Sequence, residues 1–506
     1  MSNAPAIDGG GQALQTLLAG IVQAPAGVRV SDVTLDSREV APGALFLACR
    51  GRSHHGLAFA AEALARGARA VLYEPPAEGV GSLQALAPQA FIAAVPELSA
   101  RAGRIADRFF GEPSRALGIT AVTGTNGKTT CAWLLAQALE RCGRRAAYLG
   151  TLGFGRPGAL CSARHTTADA VTVHRQLAAV RELGAQWVGM EVSSHALDQQ
   201  RIAGVRVHTA AFTNLTRDHL DYHGSMAAYG RAKQRLFELD TLVNRVINIE
   251  DAFGAELAAR GDSGALIVTT RTAAPPPGAR WVRAVSVAAH GIGLLIEVDS
   301  SWGAESLQVP LIGDFNADNC LTVLAVLLGA GVTFAAALKA LAECRAAPGR
   351  MEAFGGAAGQ PLAIVDYAHS PDALAKALSN ARHHCRGRLH VVFGCGGDRD
   401  GGKRPLMGRV AAELADEVIL TDDNPRSEPP ERITAEILAG VAPRAARIEH
   451  DRARAIREAL AGSAATDVVL IAGKGHETEQ VYGAVRRPFS DQAVVRAALG
   501  LTAGAA

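Results

Sequence analysis

A glycine-rich segment near residue 125 carries a lysine and two threonines. The apolar run 117–122 predicts a strand, the segment 123–130 (TGTNGKTT) a turn, and the residues to Arg141 a helix. Glycines let backbone N–H groups curl around a phosphate, and a helix N-terminus adds its positive end. Lys128 can reach the β- and γ-phosphates, and the Thr129 hydroxyl can ligate Mg²⁺, although valine replaces the first glycine of G-x-x-x-x-G-K-[ST]. The pattern predicts a phosphate-binding site at Gly124, Thr125, Asn126, Gly127, Lys128, Thr129 and Thr130.

Acidic, histidine and lysine residues follow farther along the chain. Glu191 ends a predicted strand at 187–191, and a carboxylate beside a phosphate loop can hold Mg²⁺. Aspartate and histidine cluster in 214–223 (NLTRDHLDYH), which by itself is better explained as a polar surface loop than as a metal site. Lys233 lies in a helical pattern, and that pattern alone indicates a solvated helix lysine.

The runs 362–366, 389–393, 417–421 and 467–471 predict strands in the last third of the chain. Polar turns follow the last three of them: 395–400 (CGGDRD), 422–426 (DDNPR) and 473–477 (GKGHE). Ligands of doubly wound sheets bind at the carboxyl ends of strands, where such turns meet. Arginine grips a carboxylate bidentately and glutamate holds an ammonium, so the set suits an amino acid. The alternative for D-N-P-R is a simple turn, since Asn-Pro favours turns. The turns indicate a substrate site.

The chain divides into three blocks that must position these residues. Residues 1–112 hold short apolar runs between alanine-rich helical stretches, whereas 113–347 and 348–506 alternate strand, turn and helix. This alternation predicts an α/β fold with mostly parallel sheets. We expect a smaller α/β N-terminal domain, a central P-loop-type ATPase domain on a mostly parallel sheet, and a C-terminal Rossmann-like domain.

Composition excludes several classes of protein. In 506 residues, 51 Lys+Arg balance 49 Asp+Glu, which argues against a nucleic-acid-coating protein. An apolar content of 48% excludes disorder. The eight cysteines form no C-x-x-C pair and no signal peptide is visible, which favours reduced thiols in the cytoplasm. The uncharged run 320–338 is broken by Gly329-Ala330-Gly331 and predicts two buried helices rather than a membrane span.

The loop GTNGKTT resembles the ATP-binding signature of the Mur ligases and folylpolyglutamate synthetases, which are ATP-dependent amide-forming enzymes. The stretch D-H-L-D-x-H is similar to a Mur ligase motif whose first histidine, here His219, contacts a second Mg²⁺. The resemblance also implies that Glu191 binds Mg²⁺ and that CO₂ carbamylates Lys233 to N6-carboxylysine. The implied catalytic residues are Lys128, Glu191, His219 and Lys233, and the implied metal ligands are Thr129, Glu191, His219 and the Lys233 carbamate.

Further positions resemble the substrate sites of Mur ligases that build the muramyl tripeptide. The segments 34–38 and 51–56 look like a uridine-nucleotide pocket, and D-N-P-R looks like a diaminopimelate-recognition motif. The implied contacts of the UDP-linked peptide are Leu35, Ser37, Arg52, Ser53, His54, Thr166, Thr167, Ser193, Gln199 and Arg201. Those of diaminopimelate are Arg399, Asp423, Asn424, Pro425, Arg426, Gly473 and Glu477. For ATP, Asn316 would face adenine, Arg350 the phosphates and Asp366 the ribose.

The resemblance covers about residues 30–499 and implies a monomeric cytoplasmic enzyme of peptidoglycan synthesis. Its substrates would be ATP, UDP-MurNAc-L-Ala-D-Glu and meso-2,6-diaminopimelate, with Mg²⁺ as cofactor. Diaminopimelate would join the D-glutamyl γ-carboxylate through an acyl phosphate. Three alternatives stay open: a lysine-adding ligase of the same family, a folylpolyglutamate-type ligase, and a P-loop protein that senses nucleotide without chemistry.

Overall fold

A computed structural model describes residues 11–51, 54–357 and 359–501 of the chain. These residues form two compact units. The first unit runs to Val268 and includes Pro276–Ala279, and the second comprises Thr269–Pro275 and the chain from Arg280 onward. The domain boundaries expected near residues 112 and 347 stay predictions.

The N-terminal part of the first unit is built on a four-stranded parallel sheet in the order β3-β4-β5-β6. Apolar residues of this sheet pack with helix α4 into one core, which also takes up residues of helix α6. The elements of this part are β1 (Gln12–Ala13), α1 (Leu14–Leu17), β2 (Arg29–Val30), β3 (Val33–Thr34), β4 (Leu45–Ala48), α2 (Ala60–Ala65), β5 (Ala70–Tyr73), α3 (Val80–Leu86), β6 (Phe91–Ala94) and α4 (Leu98–Phe109).

The rest of the first unit is organised around parallel strands in the order β8-β11-β7-β12-β13. Strands β9 and β10 extend the β8 edge in antiparallel fashion. The elements are β7 (Gly118–Thr123), α5 (Lys128–Arg141), β8 (Ala146–Gly150), β9 (Gly153–Arg156), β10 (Ala159–Cys161), α6 (Ala170–Glu182), β11 (Trp187–Glu191), α7 (Ser194–Asp198), β12 (Thr209–Phe212), α8 (Leu220–His223), α9 (Met226–Gln234), β13 (Asn244–Asn248), α10 (Ala252–Ala258) and β14 (Ala265–Thr270).

The second unit combines an antiparallel meander, β15-β16-β17, with a six-stranded sheet in the order β18-β19-β23-β20-β21-β22. Only the β18 edge of the larger sheet is antiparallel. The elements are β15 (Arg280–His290), β16 (Gly293–Ser300), β17 (Gly303–Val309), α11 (Phe315–Gly329), α12 (Phe334–Ala342), β18 (Glu352–Gly355), β19 (Leu362–Asp366), α13 (Pro371–Arg382), β20 (Leu389–Phe393), α14 (Lys403–Leu414), β21 (Glu417–Leu420), α15 (Pro430–Val441), β22 (Arg447–Ile448), α16 (Arg452–Ala461), β23 (Val468–Ala472), β24 (Glu479–Tyr482), β25 (Val485–Pro488) and α17 (Asp491–Ala498).

The strands of the six-stranded sheet are apolar along their length because both faces are covered. Ile364 and Leu470 belong to the core on one face, whereas Val365 and Ile471 belong to the core on the other. Successive side chains of a strand point to opposite faces, so burial on both faces requires a continuous apolar run. Because β19, β23, β20 and β21 run parallel, the polar residues that follow each of these strands lie at the same edge of the sheet.

The uncharged run 320–338 forms the predicted pair of helices. Helix α11 ends at Gly329 and α12 begins at Phe334, with Gly331 between them at a φ of +78°. Apolar residues on both helices are buried in the second unit. In the described part of the chain, no helix is both long enough and apolar enough to cross a bilayer.

Candidate functional site

The phosphate loop connects β7 to α5 as predicted, and the end of β12 fixes its shape. Gly124 has a φ of +154°, and a Cβ there would lie 1.9 Å from the Thr213 hydroxyl oxygen. That hydroxyl donates to the Asn126 carbonyl at 2.6 Å, and the Asn126 amide donates to Asn214 Oδ1 at 2.9 Å. Since helix α5 begins directly at Lys128, the loop presents the N-terminus of a 14-residue helix, the arrangement that favours a bound phosphate.

Two lysines meet at one carbonyl of this loop. Lys128 Nζ donates to the Gly124 and Thr125 carbonyls, each at 2.8 Å, and Lys233 Nζ donates to the same Gly124 carbonyl at 2.8 Å. Lys233 is 1% exposed, so the prediction of a solvated lysine from its helical pattern was wrong. Burial, with Lys128 nearby, holds the pKa of Lys233 well below its usual range. The neutral amine is thereby favoured at this position.

Glu191 is the centre of a buried oxygen cluster beside the loop. Its carboxylate accepts hydrogen bonds from the Thr129 hydroxyl at 2.8 Å, from the Thr151 amide at 2.8 Å and from the Tyr148 hydroxyl. Thr151 Oγ1 also donates to Thr166 Oγ1 at 3.0 Å. The sequence analysis missed Tyr148 and Thr151. Their only signal was that Tyr148 is a polar residue within the apolar strand β8 and that Thr151 directly follows this strand.

The oxygen cluster fits a hard divalent cation. A carboxylate and a hydroxyl beside a phosphate loop are the ligands that Mg²⁺ takes, together with phosphates and water. In the described ranges, no group of three or more His, Cys, Asp or Glu side chains could hold a metal by itself. Glu191 and Thr129 would therefore hold Mg²⁺ with a bound nucleotide rather than alone.

His219 lies among aromatic rings near the phosphate loop. It is the N-cap residue of α8 and has a left-handed backbone, at a φ of +51°. Its ring centroid is 4.9 Å from that of His195 and 6.0 Å from that of Tyr229. Tyr229 in turn places its ring 4.4 Å from Lys233 Nζ and shares a hydrogen bond of 3.1 Å with Thr125 Oγ1. The structure thus links His219, Lys233 and the phosphate loop through one tyrosine.

Four of the residues implied for the peptide substrate, Thr167, Ser193, Gln199 and Arg201, are connected by hydrogen bonds at the end of β11. Thr167 Oγ1 donates to the Glu191 carbonyl at 2.8 Å and accepts from the Ser193 amide at 3.1 Å. Arg201 donates to the Thr167 carbonyl at 2.9 Å and to Gln199 Oε1 at 2.7 Å. Burial lowers the pKa of Arg201. A half-buried arginine that is linked to Glu191 through Thr167 is well placed for an anionic group.

A cavity of about 500 Å³ lies beside the N-terminal sheet. Leu35 and Ser37 line it, and His54 packs edge-to-face on the lining ring of Phe59 at 6.3 Å. Arg52 and Ser53 lie outside the described residues. Arg175 also lines the cavity. Its other lining residues are Thr34, Asp36, Arg38, Glu39, Glu62, Asp169, Val171 and Thr172.

The remaining residues implied for ATP belong to the second unit. Asn316 is buried and donates to the Ile312 carbonyl at 2.7 Å. The Arg350 guanidinium lies 4.8 Å from the Tyr367 ring, and burial raises the pKa of Asp366, which accepts two backbone N–H groups. Their roles toward adenine, phosphate and ribose stay predictions.

The three polar turns of the second unit do meet. Asn424 Nδ2 donates to Glu477 Oε2 at 2.7 Å, and the Gly397 amide donates to the Asn424 carbonyl at 2.9 Å. Arg426 Nη1 donates to the Gly397 carbonyl at 2.6 Å. Lys474, which was not among the predicted site residues, is fully buried between Asn424 and Glu477. Cation, amide and carboxylate therefore stand side by side.

Close packing holds these turns together. A Cβ on Gly473, whose φ is +113°, would lie 2.6 Å from Asp423 Oδ2. A Cβ on Gly397 would lie 1.9 Å from the Pro425 carbonyl oxygen. Arg399 and Arg426 both approach the position that a Cβ on Gly396 would occupy, at 3.8 and 2.8 Å. The backbone contact at Gly397 and the positive φ at Gly473 require glycine at these two positions.

Family models cover most of the chain. The Mur ligase family catalytic domain matches residues 29–110, the Mur ligase middle domain 122–327, and the Mur ligase glutamate ligase domain 349–475. These three matches, with the two large sheets, confirm the predicted α/β fold class.

Individual relatives agree with the family models. A UDP-N-acetylmuramoyl-L-alanyl-D-glutamate–2,6-diaminopimelate ligase of Alkalilimnicola ehrlichii is 48% identical over 94% of this chain and 96% of its own. The ligase of the same name from Pseudomonas aeruginosa is 47% identical over 93% and 95%.

Solved structures give the same picture. A structure of a ligase of that name has a TM-score of 0.70 at 34% identity, covering 96% of this chain and 98% of its own. A Mycobacterium tuberculosis folylpolyglutamate synthase, at 18% identity, covers 73% of this chain and 91% of its own with a TM-score of 0.57, and shares the fold alone. From the family models and the relatives together, this chain belongs to the Mur ligase family.

Proposed function

We propose that this chain is an ATP-dependent ligase that joins meso-2,6-diaminopimelate to UDP-MurNAc-L-Ala-D-Glu in peptidoglycan synthesis. The observation that carries the proposal is the meeting of Arg426, Asn424 and Glu477 at one edge of the six-stranded sheet. Diaminopimelate has a distal carboxylate that lysine lacks, and an arginine recognises it by paired hydrogen bonds. The relatives named for this reaction support the assignment.

The first step activates the D-glutamyl γ-carboxylate. One of its oxygens attacks the γ-phosphorus of ATP, and the bond from that phosphorus to the β,γ-bridging oxygen breaks. ADP is the leaving group, and the product is an acyl phosphate. The loop N–H groups and Lys128 would hold the phosphates in line. Mg²⁺, held by Glu191 and Thr129, would offset the charge of the transferring phosphoryl group. Thr167, Ser193 and Arg201 would orient the peptide end.

The second step forms the amide. The free amine of diaminopimelate attacks the acyl carbon, and the tetrahedral intermediate collapses with loss of inorganic phosphate. Arg399 and Arg426 would grip a carboxylate, and Glu477 would hold an ammonium. Burial raises the pKa of Asp423, which lies against Gly473 of the neighbouring turn.

Lys233 is the proposed site of carbamylation. Only a neutral amine reacts with CO₂, and both burial and the neighbouring Lys128 favour that form. Carbamylation would place an anion beside the phosphate loop, because Lys233 Nζ lies 2.8 Å from the Gly124 carbonyl oxygen. Arginine could not substitute, since it keeps its charge in proteins.

The testing experiment measures ATP-dependent product formation from UDP-MurNAc-L-Ala-D-Glu with meso-diaminopimelate and L-lysine in parallel assays. We expect a product with diaminopimelate and little with lysine. Lysine incorporation without diaminopimelate incorporation would show the lysine-adding alternative. Activity on a folate instead would show a folylpolyglutamate-type ligase, and no phosphate release with any set would show a nucleotide sensor.

The cellular setting is part of the proposal. The eight thiols and the substrates ATP and a UDP-sugar favour the cytoplasm. We also propose that the enzyme is a monomer, which light scattering at working concentration tests directly.

A further inference from the structure

Lys474 is a charged side chain with no exposure to solvent. Its residue is 0% exposed, and its Nζ donates to Glu477 Oε2 at 2.9 Å, to Asn424 Oδ1 at 3.2 Å and to the Glu479 carbonyl at 2.7 Å. A buried ammonium is retained only where such partners compensate for lost hydration. Lys474 therefore contacts two of the polar residues proposed to bind the amino acid, Asn424 and Glu477, from the side away from solvent.

The contacts of Lys474 fix how Asn424 and Glu477 are turned. Asn424 Oδ1 accepts from Lys474 and from the Val481 amide at 3.0 Å, so its Nδ2 must face Glu477. Both donors to the Glu477 carboxylate use Oε2, and 30% of that side chain is exposed. The second oxygen of Glu477 is thereby left for a ligand ammonium.

Lys474 also sets the charge balance of the turns. Glu477 without its partner would present an uncompensated carboxylate, which attracts a cationic ligand over a neutral one. Diaminopimelate carries two ammonium and two carboxylate groups, whereas lysine carries one more ammonium than carboxylate. The Lys474 charge therefore acts against lysine without touching either ligand.

We propose that Lys474 is a positioning residue that orients Asn424 and Glu477 and that its charge contributes to the choice of diaminopimelate over lysine. This inference rests on the proposed function. The activity of the wild type with diaminopimelate is therefore measured first. If the wild type has none, the proposed function is rejected; if it has activity, the variants below test Lys474.

The test compares Lys474→Met, which keeps the length and removes the charge, with the control Lys376→Met. Lys376 lies on α13 of the same unit, is exposed and pairs with Asp372 at 2.7 Å. Because hydrogen bonds to a charged group are lost, we expect the KM for meso-diaminopimelate to rise about tenfold or more in Lys474→Met. The KM values for ATP and UDP-MurNAc-L-Ala-D-Glu should stay within about twofold, and the kcat/KM ratio of diaminopimelate to lysine should fall.

Equal changes in the KM of all three substrates, or an unchanged diaminopimelate-to-lysine ratio, would overturn the inference. Where thermal unfolding shows that Lys474→Met is poorly folded, Lys474→Arg carries the test, because it keeps the charge in a different shape. A KM increase confined to diaminopimelate, with the preference over lysine kept, then supports the positioning role. A wild-type KM for diaminopimelate in Lys474→Arg overturns it.

Discussion

Lys233 is a buried side chain on which, through the proposed carbamate, activity should depend. Replacing it with alanine removes the amine that would carry the carbamate, so Lys233→Ala should lose most of its ligase activity. A short carboxylate such as formate, supplied in solution, should restore part of that activity by filling the space left beside Gly124. Product formation at increasing formate measures the rescue, and the exposed Lys376→Ala variant serves as the control. Wild-type activity in Lys233→Ala would refute the carbamate role.

The lowered pKa of Lys233 also makes a prediction about stability. The folded-state pKa lies well below the ordinary value of about 10.4, so between the two values the unfolded chain binds more protons than the folded chain. Unmodified protein should therefore gain stability as pH rises through that window. In CO₂-free buffer Lys233→Met should be more stable than wild type near neutral pH, with the difference shrinking as pH approaches about 10. Thermal unfolding at several pH values measures it.

Bicarbonate provides the control for this prediction. A modification of the folded state alone adds stability, so bicarbonate should raise the unfolding temperature of the wild type. It should leave Lys233→Met unchanged, since that variant has no amine to modify. Equal effects on both proteins would mean that bicarbonate acts elsewhere.

Glu191 and its partners make a prediction about Mg²⁺. Glu191 is the carboxylate of the oxygen cluster, and its named partners there are hydroxyl and amide groups. Because Glu191→Gln removes this charge, the Mg²⁺ concentration needed for half-maximal activity should rise. Tyr148→Phe removes one donor that orients the carboxylate, and outer partners of this kind are worth about tenfold to a hundredfold in metal affinity. Magnesium titrations of phosphate release measure both variants, with Tyr73→Phe in the N-terminal sheet as control. Identical titrations in all variants would exclude Glu191 from the metal site.

At the scale of the element, the phosphate loop depends on a strand that lies far away in sequence. A Cβ on Gly124 cannot coexist with the Thr213 hydroxyl 1.9 Å away, so Gly124→Ala must displace the loop. Gly143, after α5, also has a positive φ of +75°, but a Cβ there meets nothing within 4 Å. Gly143→Ala should cost about 1 kcal/mol of stability through backbone strain alone, and Gly124→Ala should cost more because of the clash with Thr213. Only Gly124→Ala should abolish ATP binding, as measured by calorimetry; retained ATP affinity would show that the loop can yield.

The elements whose burial is set by their own residues could be predicted from the sequence. The predicted strands at 187–191, 362–366 and 389–393 agree with β11, β19 and β20, because parallel strands covered on both faces are continuous apolar runs. At β21 and β23, the ends in the structure differ from the predicted ends by one residue. Frayed ends depend on hydrogen bonds made by neighbouring strands, which the run itself does not contain.

The burial of individual polar side chains could not be predicted in this way. Lys233 follows an ordinary helical pattern, and its burial comes from Tyr229 and from Gly124, more than a hundred residues earlier in the chain. Lys474 is likewise enclosed by Asn424 from another turn. Tyr148 shows its role only once β8 and β11 are paired. Such contacts are tertiary, so the resemblance to a family could point to the site but not to these supports.

At the scale of the whole molecule, the proposed substrates divide between two compact units. The phosphate loop, Glu191 and the cavity beside the N-terminal sheet belong to the first unit. The turns with Arg426 and Glu477 belong to the second. Each unit has hydrophobic cores of its own, and domains with separate cores commonly unfold in separate steps.

This division predicts that ligands stabilise the two units separately. Scanning calorimetry of the full chain should show two unfolding transitions. A UDP-muramyl peptide should raise the transition temperature of the first unit, and meso-diaminopimelate should raise that of the second unit. At a hundred times its Kd, each ligand should add about 2.7 kcal/mol to the unit that binds it. Arg426→Ala should abolish the shift by diaminopimelate and leave that by the UDP-muramyl peptide intact, because Arg426 lies in the second unit. One transition that both ligands raise equally would mean that the units unfold together, and the stabilisation would then be a property of the whole chain.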